Sequence, residues 1–145
     1  MPHDLTEPDE LQTTLNLLLP IRRQRLSRSE RQLRQEEQAL SRIEAQHNEH
    51  QRQLATLQEN YQDQRAAFTQ QMQGQQQSLD NLKKQLAAEQ RLLQAIDTEN
   101  QQHQASLQQH KNQQQQVDTA RQTTRQCHKA VEKLEFMLTL PQENP

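Results

Sequence analysis

The chain has 145 residues, of which 30% are hydrophobic and 2% aromatic, and its formal net charge is -2. Ordinary globular domains carry roughly 45–50% apolar residues with glycine counted, so this chain cannot line a core of the usual kind, and one glycine is too few for a sheet fold with tight turns. Its 32 glutamines and 20 leucines, with Glu, Arg, Lys and Ala, are strong helix formers, which points to long, mostly solvated helix and away from a pocket enzyme.

Residues 1–10 carry Asp4, Glu7, Asp9 and Glu10 with no Lys or Arg and read as a flexible acidic tail. Leu11, Leu15, Leu17, Leu18 and Leu19 then form an apolar patch against Pro20. An acidic start and a short apolar run make neither a signal peptide nor a membrane span. A first long helix is predicted over 11–73, and the leucine patch is either its first turn or a short extra helix set off by a break at Pro20. The five prolines, Pro2, Pro8, Pro20, Pro141 and Pro145, all lie near an end. Residues 21–140 are thus free of a residue that costs a helix interior about 3 kcal/mol. Gly74, in the apolar-poor run Gln71-Met72-Gln73-Gly74-Gln75-Gln76-Gln77, marks a turn over 74–77, because glycine suits a left-handed turn better than a helix interior. A second helix is predicted over 78–140 and a frayed tail over 141–145. The fold class is all-α: a long antiparallel two-helix coiled-coil hairpin bent near Gly74, with one uninterrupted rod as the alternative.

Heptad spacing supports the hairpin. Steps of seven from Leu19 give Leu26, Leu33, Leu40, His47, Leu54, Tyr61 and Phe68, nearly all apolar, as in a coiled-coil seam. The companion positions Arg22, Ser29, Glu36, Ile43, His50, Leu57, Gln64 and Gln71 are mostly polar. Beyond the glycine one set runs Leu79, Leu86, Leu93, Asn100, Leu107 and another Leu82, Glu89, Ile96, His103, His110. The run Val117, Ala120, Thr124, Cys127, Val131, Leu134, Leu138 is taken as offset from the first of these, with a three-residue slip expected at Gln113 to Gln116. A fold near Gly74 brings Leu57 to Leu93, Leu54 to Ile96, Ile43 to Leu107, Leu33 to Val117 and Leu19 to Val131. It also groups polar exceptions, His47 with His103 and His50 with Asn100. The predicted seam is Leu19, Leu26, Leu33, Leu40, Ile43, Leu54, Leu57, Leu93, Ile96, Leu107, Val117 and Val131. It is thin, and the chain is expected to be a monomer or weak dimer when free.

Nothing in the sequence demands catalysis. The His47, His50, His103 and Asn100 group admits a metal reading, since imidazoles three apart share a helix face, but it suits a polar register-fixing layer better. Cys127 is the sole cysteine and reads as a small core residue. His128 beside it points about 100° away on a helix and makes no dyad with it. No catalytic residue, metal site or cofactor is predicted.

Charge is unevenly placed. Arg22, Arg23, Arg25, Arg28, Arg31 and Arg34 face only Glu30 within 20–35, and Arg121, Arg125, Lys129 and Lys133 face only Glu132 within 119–134. The hairpin sets these segments side by side, so the terminal end is strongly basic. That end is read as entering an acidic or polar socket, a solvated helix face being the plainer alternative. A basic segment before leucine heptads also suggests a basic-zipper DNA reader. Interspersed acids, an absent Asn-x-x-Ala-Ala signature and heptads that begin inside the arginine segment argue against nucleic acid.

The stretch Leu15-Asn16-Leu17-Leu18-Leu19-Pro20-Ile21-Arg22-Arg23-Gln24-Arg25-Leu26-Ser27-Arg28-Ser29-Glu30-Arg31-Gln32-Leu33 and the closing Lys129-Ala130-Val131-Glu132-Lys133-Leu134-Glu135 resemble the two ends of the FliJ/YscO stalk proteins of type III secretion and flagellar export. The Hrp-type proteins of plant-associated bacteria are the most similar branch. The resemblance implies a cytoplasmic, non-enzymatic central stalk at the inner-membrane base of the secretion apparatus. Such a stalk inserts into a hexameric secretion ATPase, reaches towards an export-gate membrane protein and escorts secretion chaperones, without entering the membrane itself. Carried onto this chain, it implies ATPase-pore contact by Arg22, Arg23, Arg25, Arg28, Arg121, Arg125, Lys129 and Lys133, and export-gate contact by Phe68, Met72 and Leu79. A free-standing coiled-coil scaffold or chaperone-like protein stays open beside it, as does a nucleic-acid-binding coiled coil.

Overall fold

A computed structural model describes residues 3–73 and 78–141, with side chains from Glu10 onward. Two helices, α1 (His3–Met72) and α2 (Leu79–Thr139), run antiparallel as a two-helix hairpin, and the described residues contain no strand. The expected turn at 74–77, Gly74 included, and residues 142–145 of the expected tail lie outside the described residues.

At the start of the chain the helix extends further than the expected bounds, and of the two alternatives at Pro20 the continuous one is found. Residues 3–10 are helical rather than a tail, and α1 passes through Pro8 and Pro20 without a break. Proline at position 20 has no N–H to give the Asn16 carbonyl. The helix persists because Leu15 and Leu19, on the turn before it, are buried against Val131 and Leu134, and that packing outweighs the lost hydrogen bond. At the other helix start the signals are local: the Ser78 hydroxyl accepts from the Asn81 N–H at 3.2 Å, and Asp80 sits in the first turn, where a negative charge meets the positive end of the helix dipole. α2 ends at Thr139, two residues before Pro141, whose ring disfavours helical geometry in the residue before it.

The chain divides into two compact units. Unit 1 combines α1 up to Leu40 with α2 from Gln113, and unit 2 spans Ser41–Asn112. The apolar core belongs to unit 1. Leu15, Leu19, Val131 and Leu134 cluster there, with Leu18, Leu26, Met137 and Leu138 packed on them, and Val117 is 1% exposed. Unit 2 buries Ile43 together with the polar Glu99 and Ser106.

The inward residues of α2 follow one uninterrupted heptad. Gln113, Val117, Ala120, Thr124 and Cys127 continue the 3–4 spacing of Glu99, His103, Ser106 and His110, so the three-residue slip expected at Gln113 to Gln116 is absent. Polar side chains take inward seats here, so Leu79, Leu86, Leu93 and Leu107 of α2 stand one row away from its inward face. The same cause corrects two seam assignments: Leu93 and Leu107 are exposed, while half-buried Leu92 and buried Ser106 turn inward beside them. Of the other seam residues, Leu19, Ile43, Val117 and Val131 are buried, and Leu26, Leu33, Leu40, Leu54, Leu57 and Ile96 are half-buried.

In unit 1 two polar seam positions are matched across the helices. Thr124 Oγ1 donates to the Ala120 carbonyl at 2.8 Å and lies 2.8 Å from Ser29 Oγ. With its only proton so used, Thr124 must accept from Ser29. Gln113 Nε2 donates to the Glu36 carboxylate and to the Glu36 backbone carbonyl at 3.0 Å. Thr124→Val keeps the volume but strands the half-buried Ser29 hydroxyl, so it is expected to cost about 1 kcal/mol. Urea unfolding followed by circular dichroism checks this, and Ser29→Ala in the Thr124→Val chain should restore part of the loss.

Candidate interaction surface

In unit 1 the two arginine- and lysine-bearing segments lie on facing helices, but their cations divide into two groups. Arg23 Nη2 pairs with Glu135 Oε1 at 3.2 Å, and Arg121 reaches Glu37 at 3.7 Å and Asp118 at 3.9 Å. His128 faces Glu30 at 3.5 Å across the same edge. These residues tie α1 to α2, so Arg23 and Arg121 are not free to meet a partner with full charge. Arg22 is half-buried at a seam position. Arg25, Arg28, Arg125, Lys129 and Lys133 are exposed and make no ion pair among the described residues. Arg31 and Arg34 share that state. A heptad wheel separates the groups, since Arg23, Glu30, Glu37 and Arg121, His128, Glu135 all stand one step beyond a seam position, where antiparallel helices meet edge to edge.

Unit 1 also exposes large apolar residues at its terminal end: Leu11, Leu17, Ile21, Phe136 and Leu140, with Leu17 67% and Phe136 63% exposed. A helix that packs on one neighbour needs apolar residues on one stripe only. Here leucines line the seam while Leu17, Ile21 and Phe136 stand outside it. The leucine patch, a single feature in the sequence, serves two faces in the structure.

Unit 2 carries the histidine layer. The rings of His47 and His103 stack with centroids 4.7 Å apart and planes at 30°, and their buried His47 Nδ1 and His103 Nε2 find no hydrogen-bond partner in the protein. His50 does not meet Asn100, which is exposed; its Nδ1 lies 2.7 Å from Glu99 Oε1. His110 Nε2 meets Glu44 Oε1 at 3.2 Å. Among the described residues no three His, Cys, Asp or Glu side chains are grouped to hold a metal ion. Cys127, in unit 1, is a half-buried free thiol.

The three residues assigned to an export gate differ in setting. Phe68 is half-buried at a seam position and lines a shallow groove with Tyr61, Arg65, Gln85, Leu86 and Glu89. Met72 and Leu79 are exposed. No helix among the described residues is long and apolar enough to cross a membrane. No protein-family model, curated protein or solved structure matches the chain, so its function has to be read from these surfaces.

Proposed function

We propose that the chain is a non-enzymatic coiled-coil scaffold, gripped at unit 1 by a partner that offers an acidic, partly apolar socket. The observation that carries this reading is the coincidence, in one unit, of free cations at Arg25, Arg28, Arg125, Lys129 and Lys133 with outward-facing Leu17, Ile21 and Phe136. Exposed apolar patches rimmed by polar residues mark interaction sites, and the free cations add steering towards an acidic surface. Photo-crosslinking groups placed at Phe136 and at Gln94, an exposed residue of unit 2, test it in the native host. Adducts should form at Phe136 and fall at least tenfold when Arg25, Arg28, Arg125 and Lys129 are all changed to Glu. Equal adducts at both positions, or indifference to the charge reversal, would sink the reading.

A second, narrower reading is a FliJ/YscO-type stalk in which the socket is the pore of a hexameric secretion ATPase. The export-gate protein and secretion chaperones would be further partners, at the cytoplasmic base of the inner membrane. What favours it is that Arg22–Arg34 and Arg121–Lys133 fall in the same unit, the arrangement the resemblance requires. Its own test is biochemical: the chain should raise hexamerisation and turnover of a type III secretion ATPase, and the same four-residue charge reversal should abolish that stimulation.

A further inference from the structure

Unit 2 displays a second line of leucines that its own seam does not use. Leu79, Leu86, Leu93 and Leu107 stand at multiples of seven along α2 and are 67%, 58%, 44% and 44% exposed. Scattered exposed leucines need no explanation, but leucines recurring every seven residues share one helix face and form a coiled-coil stripe. Asn100 occupies the one remaining position in the row, the kind of single polar interruption that fixes register between paired helices. The same heptad position in unit 1 is taken by Arg121, His128 and Glu135, each set against a charged residue of α1. In unit 2 it holds leucines that stay 44–67% exposed.

We propose that this row is the face on which a second copy of the chain docks, making a reversible homodimer through unit 2. Three observations select that occupant. A stripe with a pitch of seven is covered by a helix carrying a stripe of the same pitch, and a two-fold partner supplies one by construction. Unit 2 is close to neutral, with Arg42, Arg52, Arg65, Lys83, Lys84, Arg91 and Lys111 set against eight acidic residues, so identical copies do not repel and no strongly charged partner is favoured. The area is also of the right order for a weak pair. The four exposures together amount to about two whole leucine side chains per copy, extended by the grooves beside Leu86 and Leu93. That falls short of the roughly 800 Å² per partner of a standard stable interface, so the dimer dissociates on dilution.

Sedimentation velocity of the full chain, from low micromolar to sub-millimolar concentration, tests this. The wild type should pass from monomer to dimer, and Leu79→Gln/Leu86→Gln/Leu93→Gln should raise the dissociation constant at least tenfold while leaving helix content unchanged. Should that variant fold poorly, a cysteine trap replaces it. In a Cys127→Ser chain, Leu93→Cys should give a disulfide-linked dimer under mild oxidation, and Gln101→Cys, on a different face, should not. A wild type that stays monomeric throughout overturns the proposal and leaves the row to another protein. So does a dimer that survives the leucine changes, or one lost only on charge reversal in unit 1. None of these results bears on the crosslinking at Phe136, so the two proposals stand or fall separately.

Discussion

Val117→Asp is expected to destabilise the hairpin by about 4 kcal/mol. Val117 is 1% exposed and sits one turn beyond Gln113, whose amide is already given to Glu36. A carboxylate introduced there has neither water nor a spare donor, and an unpaired buried charge costs several kcal/mol. Small domains have only about 5–15 kcal/mol in hand, and a seam this poor in leucine sits low in that range. Burial would raise the introduced carboxyl's folded pKa above its unfolded value, because desolvation disfavours the charged form. The unfolded state therefore loses its proton first as pH rises, and the penalty grows from the unfolded pKa upward. The deficit should shrink towards acid pH, where the group folds neutral. Val117→Ala separates charge from volume and should cost about 2 kcal/mol with no such pH dependence. Gln115→Asp, exposed on the same helix, should stay within about 0.5 kcal/mol of wild type. Urea unfolding read by circular dichroism at several pH values distinguishes the three. A Val117→Asp chain as stable as wild type would mean that this position opens to water in solution.

The large features of this molecule are legible in its composition because they rest on local physics. Helix-forming residues, prolines confined to the ends and the period-seven leucines of α1 suffice for two long antiparallel helices. The seam of α2 departs from the leucine pattern for a definite reason. Leucine does not mark the inward face there, since Glu99, Ser106 and Gln113 face inward and Leu79, Leu86 and Leu93 face out. Two of the polar residues in inward seats are held there by partners on the opposite helix, Gln113 by Glu36 and Glu99 by His50. That pairing joins residues far apart in the chain and leaves no local signature. Pro20 shows the same limit from the other side, since a helix breaker was overruled by packing between Leu15, Leu19 and a segment more than a hundred residues away. The basic surface was half legible. Counting arginines located it, but only the cross-helix pairs at Arg23 and Arg121 show which cations are already engaged.

Changing His47 and His103 together to Leu is expected to stabilise the hairpin by about 2 kcal/mol. Each ring leaves one buried nitrogen without a hydrogen-bond partner, and an unsatisfied buried polar atom costs about 1–3 kcal/mol. The ring stack at 4.7 Å returns part of that, since aromatic pairs contribute about 0.5–1.5 kcal/mol beyond their burial. Leucines at both places would extend the apolar seam by one layer beyond Ile43 and remove both unpaired nitrogens at once. Each single change should give less than half of the double, because it breaks the stack while leaving one bare nitrogen beside a leucine. A double-mutant cycle therefore yields a favourable coupling between the two leucines. Register should survive the change, because His50–Glu99 and His110–Glu44 flank the layer and still specify which residues face each other. Crosslinking between cysteines introduced at facing seam positions, in a Cys127→Ser background, checks that point alongside the melting curve. If the double variant instead proves less stable than wild type, the stacked imidazoles attract by more than their bare nitrogens cost. The layer would then be a source of stability in unit 2 rather than a cost carried for the sake of alignment.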